Sequence, residues 1–141
     1  MTVRTVMTES PACCTPNTSL TDVARLMVDN DCGEIPVIED TASRKLAGVI
    51  TDRDIATRIV AKGKNSAEAC ACDCMTTDCV TVTPDTSLEE CCEVMENRKI
   101  RRVPVVDASG GVVGIVSLAD VVRSARPSTT ASVLKQVSTD R

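Results

Sequence analysis

The chain has 141 residues, 43% hydrophobic and 26% charged, the proportions of a soluble globular protein with enough length to bury a core. A net charge of −4 and the absence of Trp, Tyr and Phe argue against nucleic-acid binding, which needs a basic face or stacking platforms. No run approaches the roughly 20 apolar residues that span a bilayer, and Met1 to Ser10 hold no signal-like apolar stretch, so a cytoplasmic protein without a membrane partner is expected.

In chain order, Met7-Thr8 precedes a short predicted strand over Ala12 to Thr15. Thr15-Pro16-Asn17-Thr18 then leads to Ser19, a helix N-cap with Asp22 three residues on. Leu20, Val23, Ala24 and Met27 follow at helical spacing and form one apolar face. A β-rich run, Ile35 to Glu39, turns through Asp40 to Arg44 into a second run, Leu46 to Thr51, and a helix starts near Asp52. After residues 62 to 74 the pattern repeats. Met75-Thr76, a strand over Cys79 to Thr83, Ser87 with Glu90, and Leu88, Cys91, Cys92 and Met95 each sit 68 positions after their counterparts. The second hairpin is Val103 to Asp107 and Val112 to Ser117, joined through Ala108 to Gly111, with a helix from Leu118. The expected fold is α+β: two pseudo-symmetric β-α-β-β-α repeats packed sheet to sheet, because one such unit leaves an apolar sheet face uncovered. The repeats are set at 3–61 and 75–123, with a linker at 62–74. A polar tail covers 124–141, in which Val133, Leu134 and Val137 suggest a short docking helix.

These marks resemble the cystathionine-β-synthase-type (CBS) domain, and two in tandem resemble a Bateman module. They are Met7-Thr8, Pro36-Val37 and Gly48-Val49-Ile50-Thr51-Asp52-Arg53-Asp54-Ile55. The second set is Met75-Thr76, Val103-Pro104-Val105-Val106-Asp107 and Gly114-Ile115-Val116-Ser117-Leu118-Ala119-Asp120-Val121. The resemblance implies a stand-alone regulatory module, not an enzyme, that binds adenosine ligands in clefts between the repeats. AMP, ADP or ATP are the expected ligands, and S-adenosylmethionine is a further candidate; no cofactor is required. It also implies a homodimer that signals to a separate, unidentified effector protein.

Ser117 and Asp120 carry a chemical logic of their own. A strand ends and a helix begins at Ser117, where free N–H groups favour an anion, and the two carboxylate oxygens of Asp120 suit a ribose diol. Ser-x-x-Asp is also a capping box, but its recurrence as Thr51 and Asp54 after a glycine-bearing strand favours the ligand reading. The resemblance places Arg101 and Arg102 beside the ligand phosphates. The first repeat has Gly33 and Glu34 there, so its Thr51–Asp54 site is expected to bind more weakly or to take a less charged ligand, with Arg53 as a compensating cation. The adenine is expected among Val80, Val82, Ile100, Val103 and Pro104, or near Ala12, Ile35 and Pro36 in the first repeat.

There is no His to activate a nucleophile or to complete a zinc set, so neither catalytic residues nor a metal site is expected. The nine cysteines are read as reduced thiols, with Cys91 and Cys92 in core positions. Cys70-x-Cys72-x-Cys74 is read as extended, with a spacing unlike the Cys-x2–4-Cys of structural zinc sites. Two other functions compete with the nucleotide reading: a structural dimerisation scaffold with empty clefts, and a cysteine-based metal or redox sensor through residues 70–79.

Overall fold

The computed structural model describes residues 1–124; the docking helix expected near Val133, Leu134 and Val137 lies outside them. The fold is α+β, and the chain divides into two units, each with its own apolar core.

The repeat-one unit comprises Pro11–Cys79 and Ser109–Val112. Its helix α1 (Leu20–Asn30) starts at Ser19, whose extended backbone turns Oγ toward the Asp22 N–H at 3.1 Å. It ends at Asp31, a non-glycine residue in the left-handed region (φ 50°). Leu20, Val23 and Met27 form its buried face, as the spacing requires. Strands β2 (Glu34–Ile38) and β3 (Leu46–Thr51) pair as an antiparallel hairpin with a register irregularity between Val37 and Ile38. Helix α2 (Asp52–Ile55) follows directly and widens into a π-helical turn over Ala56–Val60.

The repeat-two unit comprises Met1–Ser10, Val80–Ala108 and, among the described residues, 113–124. It holds β1 (Thr8–Glu9), α3 (Leu88–Arg98), β4 (Arg102–Val106), β5 (Val112–Ser117) and α4 (Leu118–Ser124). The strand order is β1-β5-β4. Helix α3 repeats the design of α1: Ser87 Oγ accepts from the Glu90 N–H at 3.1 Å, and Lys99 closes the helix at φ 57°. Cys91 and Cys92 are buried in its core face, at 0% and 3% exposure, and behave as small hydrophobes.

Two expectations change, and one pairing is new. The leading strands at 12–15 and 79–83 shrink to single parallel bridges, Cys14 to Val37 and Val82 to Val105. The Met-Thr pairs do not join the sheets of their own repeats. Thr8 pairs with Ile115 in β5, and Thr76 exchanges two 2.9 Å backbone hydrogen bonds with Val49 in β3. Glycine permits these close approaches: a Cβ on Gly48 would lie 2.6 Å from the Thr76 carbonyl oxygen, and one on Gly114 would lie 2.6 Å from Met7 Sδ. Finally, residues 70–74 are not extended, because Ala71–Asp73 forms one 3₁₀ turn capped at Cys70.

Candidate functional site

In the repeat-two unit, Arg101 precedes β4 while Ser117 ends β5, and the sheet brings both to one edge. The Leu118 N–H donates to the Arg101 carbonyl at 2.6 Å, which fastens the strand–helix junction to the basic segment. Ser117 and Asp120 form a reciprocal capping box. The Asp120 N–H donates to Ser117 Oγ at 3.1 Å, and the Ser117 N–H donates to Asp120 Oδ2 at 3.0 Å. Arg123, one turn on, places Nη2 2.5 Å from Asp120 Oδ1. The carboxylate side chain is only 14% exposed, whereas that of Arg123 is 72% exposed and has room to move.

These residues border a cavity of about 570 Å³ lined by Arg101, Arg102, Ser117, Leu118, Ala119, Val122 and Arg123. Three guanidinium groups give it a positive rim, and Leu118, Ala119 and Val122 give it an apolar wall. That combination suits a ligand with an anionic end and a flat apolar body.

The structure thus brings Arg101, Arg102 and Ser117 to one cavity, with Asp120 hydrogen-bonded to its wall. The expected adenine residues divide. Val80 and Ile100 are half-buried at the margin of the core, while Val82, Val103 and Pro104 are buried within the unit and do not line the cavity. The expectation of free first-turn N–H groups is corrected. Two of them are taken, since Leu118 donates to Arg101 and Asp120 donates to Ser117. Sequence reasoning missed Arg123, although its position three residues after Asp120 on a helix was the available signal. It also missed the apolar wall, which needs the helix orientation.

The repeat-one unit builds the same junction with different chemistry. The Asp52 N–H donates to the Gly33 carbonyl at 2.9 Å, the counterpart of Leu118 and Arg101. Thr51 and Asp54 form the capping box at 3.1 Å and 3.0 Å. Arg58 stands in for Arg123, with Nε 3.9 Å from Asp54 Oδ1 and Nη1 donating to the Cys74 carbonyl at 3.0 Å. Burial pushes the Cys74 thiol up, the Asp54 charge adds to that, and Arg58 opposes it. Arg53 is exposed, and Ile35 and Pro36 are buried. With Gly33 and Glu34 in place of Arg101 and Arg102, the guanidinium pair is missing from this junction.

The CBS domain model matches residues 3–61 and 71–126. The Bacillus subtilis CBS domain-containing protein YhcV is 38% identical over 119 residues, covering 84% of this chain and 81% of YhcV. Against two further curated relatives the chain spans 54% of their length. A crystal structure of CBSX2 in complex with AMP matches with a TM-score of 0.73 and 31% identity over 87% of this chain and 94% of that one. The CBS domain pair of MJ0100, in complex with 5′-methylthioadenosine and S-adenosyl-L-methionine, matches with a TM-score of 0.75 and 28% identity over the same shares, 87% and 94%. Two copies of one β-rich unit, each closing on the same capped carboxylate, and a family match to both copies make this chain a member of the CBS domain family.

Proposed function

We propose that the chain is a non-catalytic regulatory module that binds an adenine nucleotide (AMP, ADP or ATP) at the repeat-two cavity and passes its occupancy to a separate effector protein. The observation that carries this reading is the cavity with three guanidinium groups on its rim and Ser117, capped by Asp120, in its wall. Phosphate oxygens are assigned to Arg101 and Arg102, where charge-assisted and bidentate hydrogen bonds are available. The ribose diol is assigned to Asp120 Oδ1, the oxygen that Arg123 holds in the absence of ligand. Arg123 then turns to the phosphates. The adenine is assigned to the apolar groups at the cavity margin, with Val80 and Ile100 in contact and Val82, Val103 and Pro104 behind them.

The Thr51–Asp54 junction is assigned a second, weaker site. Its neighbours Glu34 and Asp52 disfavour phosphate and suit an uncharged or cationic adenosyl group such as S-adenosylmethionine. AMP in one similar structure and 5′-methylthioadenosine with S-adenosyl-L-methionine in another support an adenosyl ligand for the module. The chain is assigned to the cytoplasm as a homodimer. All nine cysteines are unpaired thiols, as a reducing compartment keeps them, and no helix among the described residues is long and apolar enough to cross a membrane.

Thermal unfolding tests the reading. AMP at about 100 times its dissociation constant stabilises a one-site protein by about 2.7 kcal/mol. Paired Arg101→Ala and Arg102→Ala substitutions are expected to remove most of that gain while leaving the unliganded melting temperature within a few degrees, since both side chains are exposed. A scaffold with empty clefts shows no nucleotide-dependent shift in either protein.

A further inference from the structure

The segment that rejoins α1 holds an arrangement the nucleotide reading does not use. Ala71 is fully buried in the repeat-one core, and the turn around it is tied down on both sides. The Ala71 N–H donates to the Thr18 carbonyl at 2.8 Å, the Cys72 N–H donates to the Pro16 carbonyl at 2.9 Å, and the Leu20 N–H donates to the Ala69 carbonyl at 3.0 Å. Within that fixed turn Cys70, Cys72 and Asp73 converge, whereas along a strand Asp73 would face away from both cysteines. Cys70 Sγ lies 3.3 Å from Cys72 Sγ and 3.5 Å from Asp73 Oδ2, and all three ligand atoms lie within 4.8 Å of one another. Asp73 is itself oriented, because its Oδ2 accepts the Cys70 N–H at 2.8 Å.

We propose that Cys70, Cys72 and Asp73 form a binding site for a thiophilic divalent cation of the zinc class. Tetrahedral coordination with metal–sulfur bonds of about 2.3 Å sets the sulfurs about 3.7 Å apart, so the pair needs to open by only a few tenths of an ångström. Two soft thiolates and one carboxylate select zinc-like ions over magnesium or calcium. Cys72 and Asp73 are exposed, which leaves the fourth position open to water or to an incoming group. Because the turn is bonded to Pro16 and Thr18, just ahead of the Ser19 cap, occupancy would clamp the start of α1.

The test uses the full reduced chain, stripped by chelator dialysis and titrated anaerobically with Co2+. The expected result is a thiolate-to-cobalt charge-transfer band with intense visible bands of four-coordinate cobalt, saturating at one ion per chain and bleached by Zn2+. Cys72→Ser replaces an exposed side chain and Asp73→Asn keeps the shape of the cap. Each is expected to weaken Co2+ binding at least about 10-fold, the loss that even outer-shell partners cause. Cys79→Ser, outside the cluster, is expected to leave the band intact. A fully reduced wild-type chain with no charge-transfer band overturns the proposal. So does a band that survives in a folded Cys70→Ser/Cys72→Ser double variant.

Discussion

Asp120 serves two partners at once: Oδ2 completes a helix cap, and Oδ1 holds Arg123. Replacing it therefore costs stability as well as ligand. Asp120→Ala is expected to destabilise the chain by about 1 kcal/mol, the usual worth of a cap, and to abolish the thermal shift with AMP. Asp54→Ala is expected to cost a similar amount while leaving most of the AMP shift in place. Arg123 separates charge from shape. Arg123→Ala frees Oδ1 for a diol but removes a phosphate partner, so it is expected to shift the affinity ratio toward adenosine and away from AMP, which competition binding reads directly. The Ser-x-x-Asp pairs were legible in the sequence because a capping box is local. The second oxygen's partner was legible only in principle, since it rests on helix geometry after the junction. The apolar wall was not legible, because which face of α4 meets the cavity depends on how β5 delivers Ser117.

Repetition at the level of elements extends to backbone strain. Helices α1 and α3 end at Asp31 and Lys99, 68 positions apart, and both residues adopt left-handed angles that favour glycine. Asp31→Gly and Lys99→Gly are each expected to stabilise the chain by about 0.5 to 1 kcal/mol in denaturant unfolding. Gly48→Ala runs the other way. Its new methyl group meets the Thr76 carbonyl, and crowding of that kind costs about 1–3 kcal/mol. The two helices and both hairpins followed from apolar periodicity and turn residues, with the first strand of each hairpin shifted by one residue. The exchange of Met-Thr segments did not follow, because strand pairing between distant segments leaves no local trace. The turn at 71–73 was hidden for a different reason: alternating cysteines read as a strand until the bonds to Pro16 and Thr18 fold them over.

For the whole molecule, an aliphatic interior without aromatic rings gives the cysteines structural weight. Burial pushes Cys14 in one core and Cys91 in the other up to about 12, from an ordinary value of 9.0. The folded values are raised, so this contribution to stability is complete below about pH 9 and is lost as pH rises toward about 12, where unfolded thiols ionise first. Unfolding free energy measured across that range is expected to fall steadily, and Cys91→Ala is expected to flatten the slope. Adenine-nucleotide binding is read by equilibrium dialysis of the purified chain against AMP, ADP, ATP and S-adenosylmethionine. The protein lacks Trp and Tyr, so bound adenine is read from its own ultraviolet absorbance. Saturable binding of one or two ligands per chain is expected, with the phosphorylated ligands lost in the Arg101→Ala/Arg102→Ala variant. Absence of binding at millimolar concentrations of every ligand would contradict the nucleotide reading and leave a dimerisation scaffold.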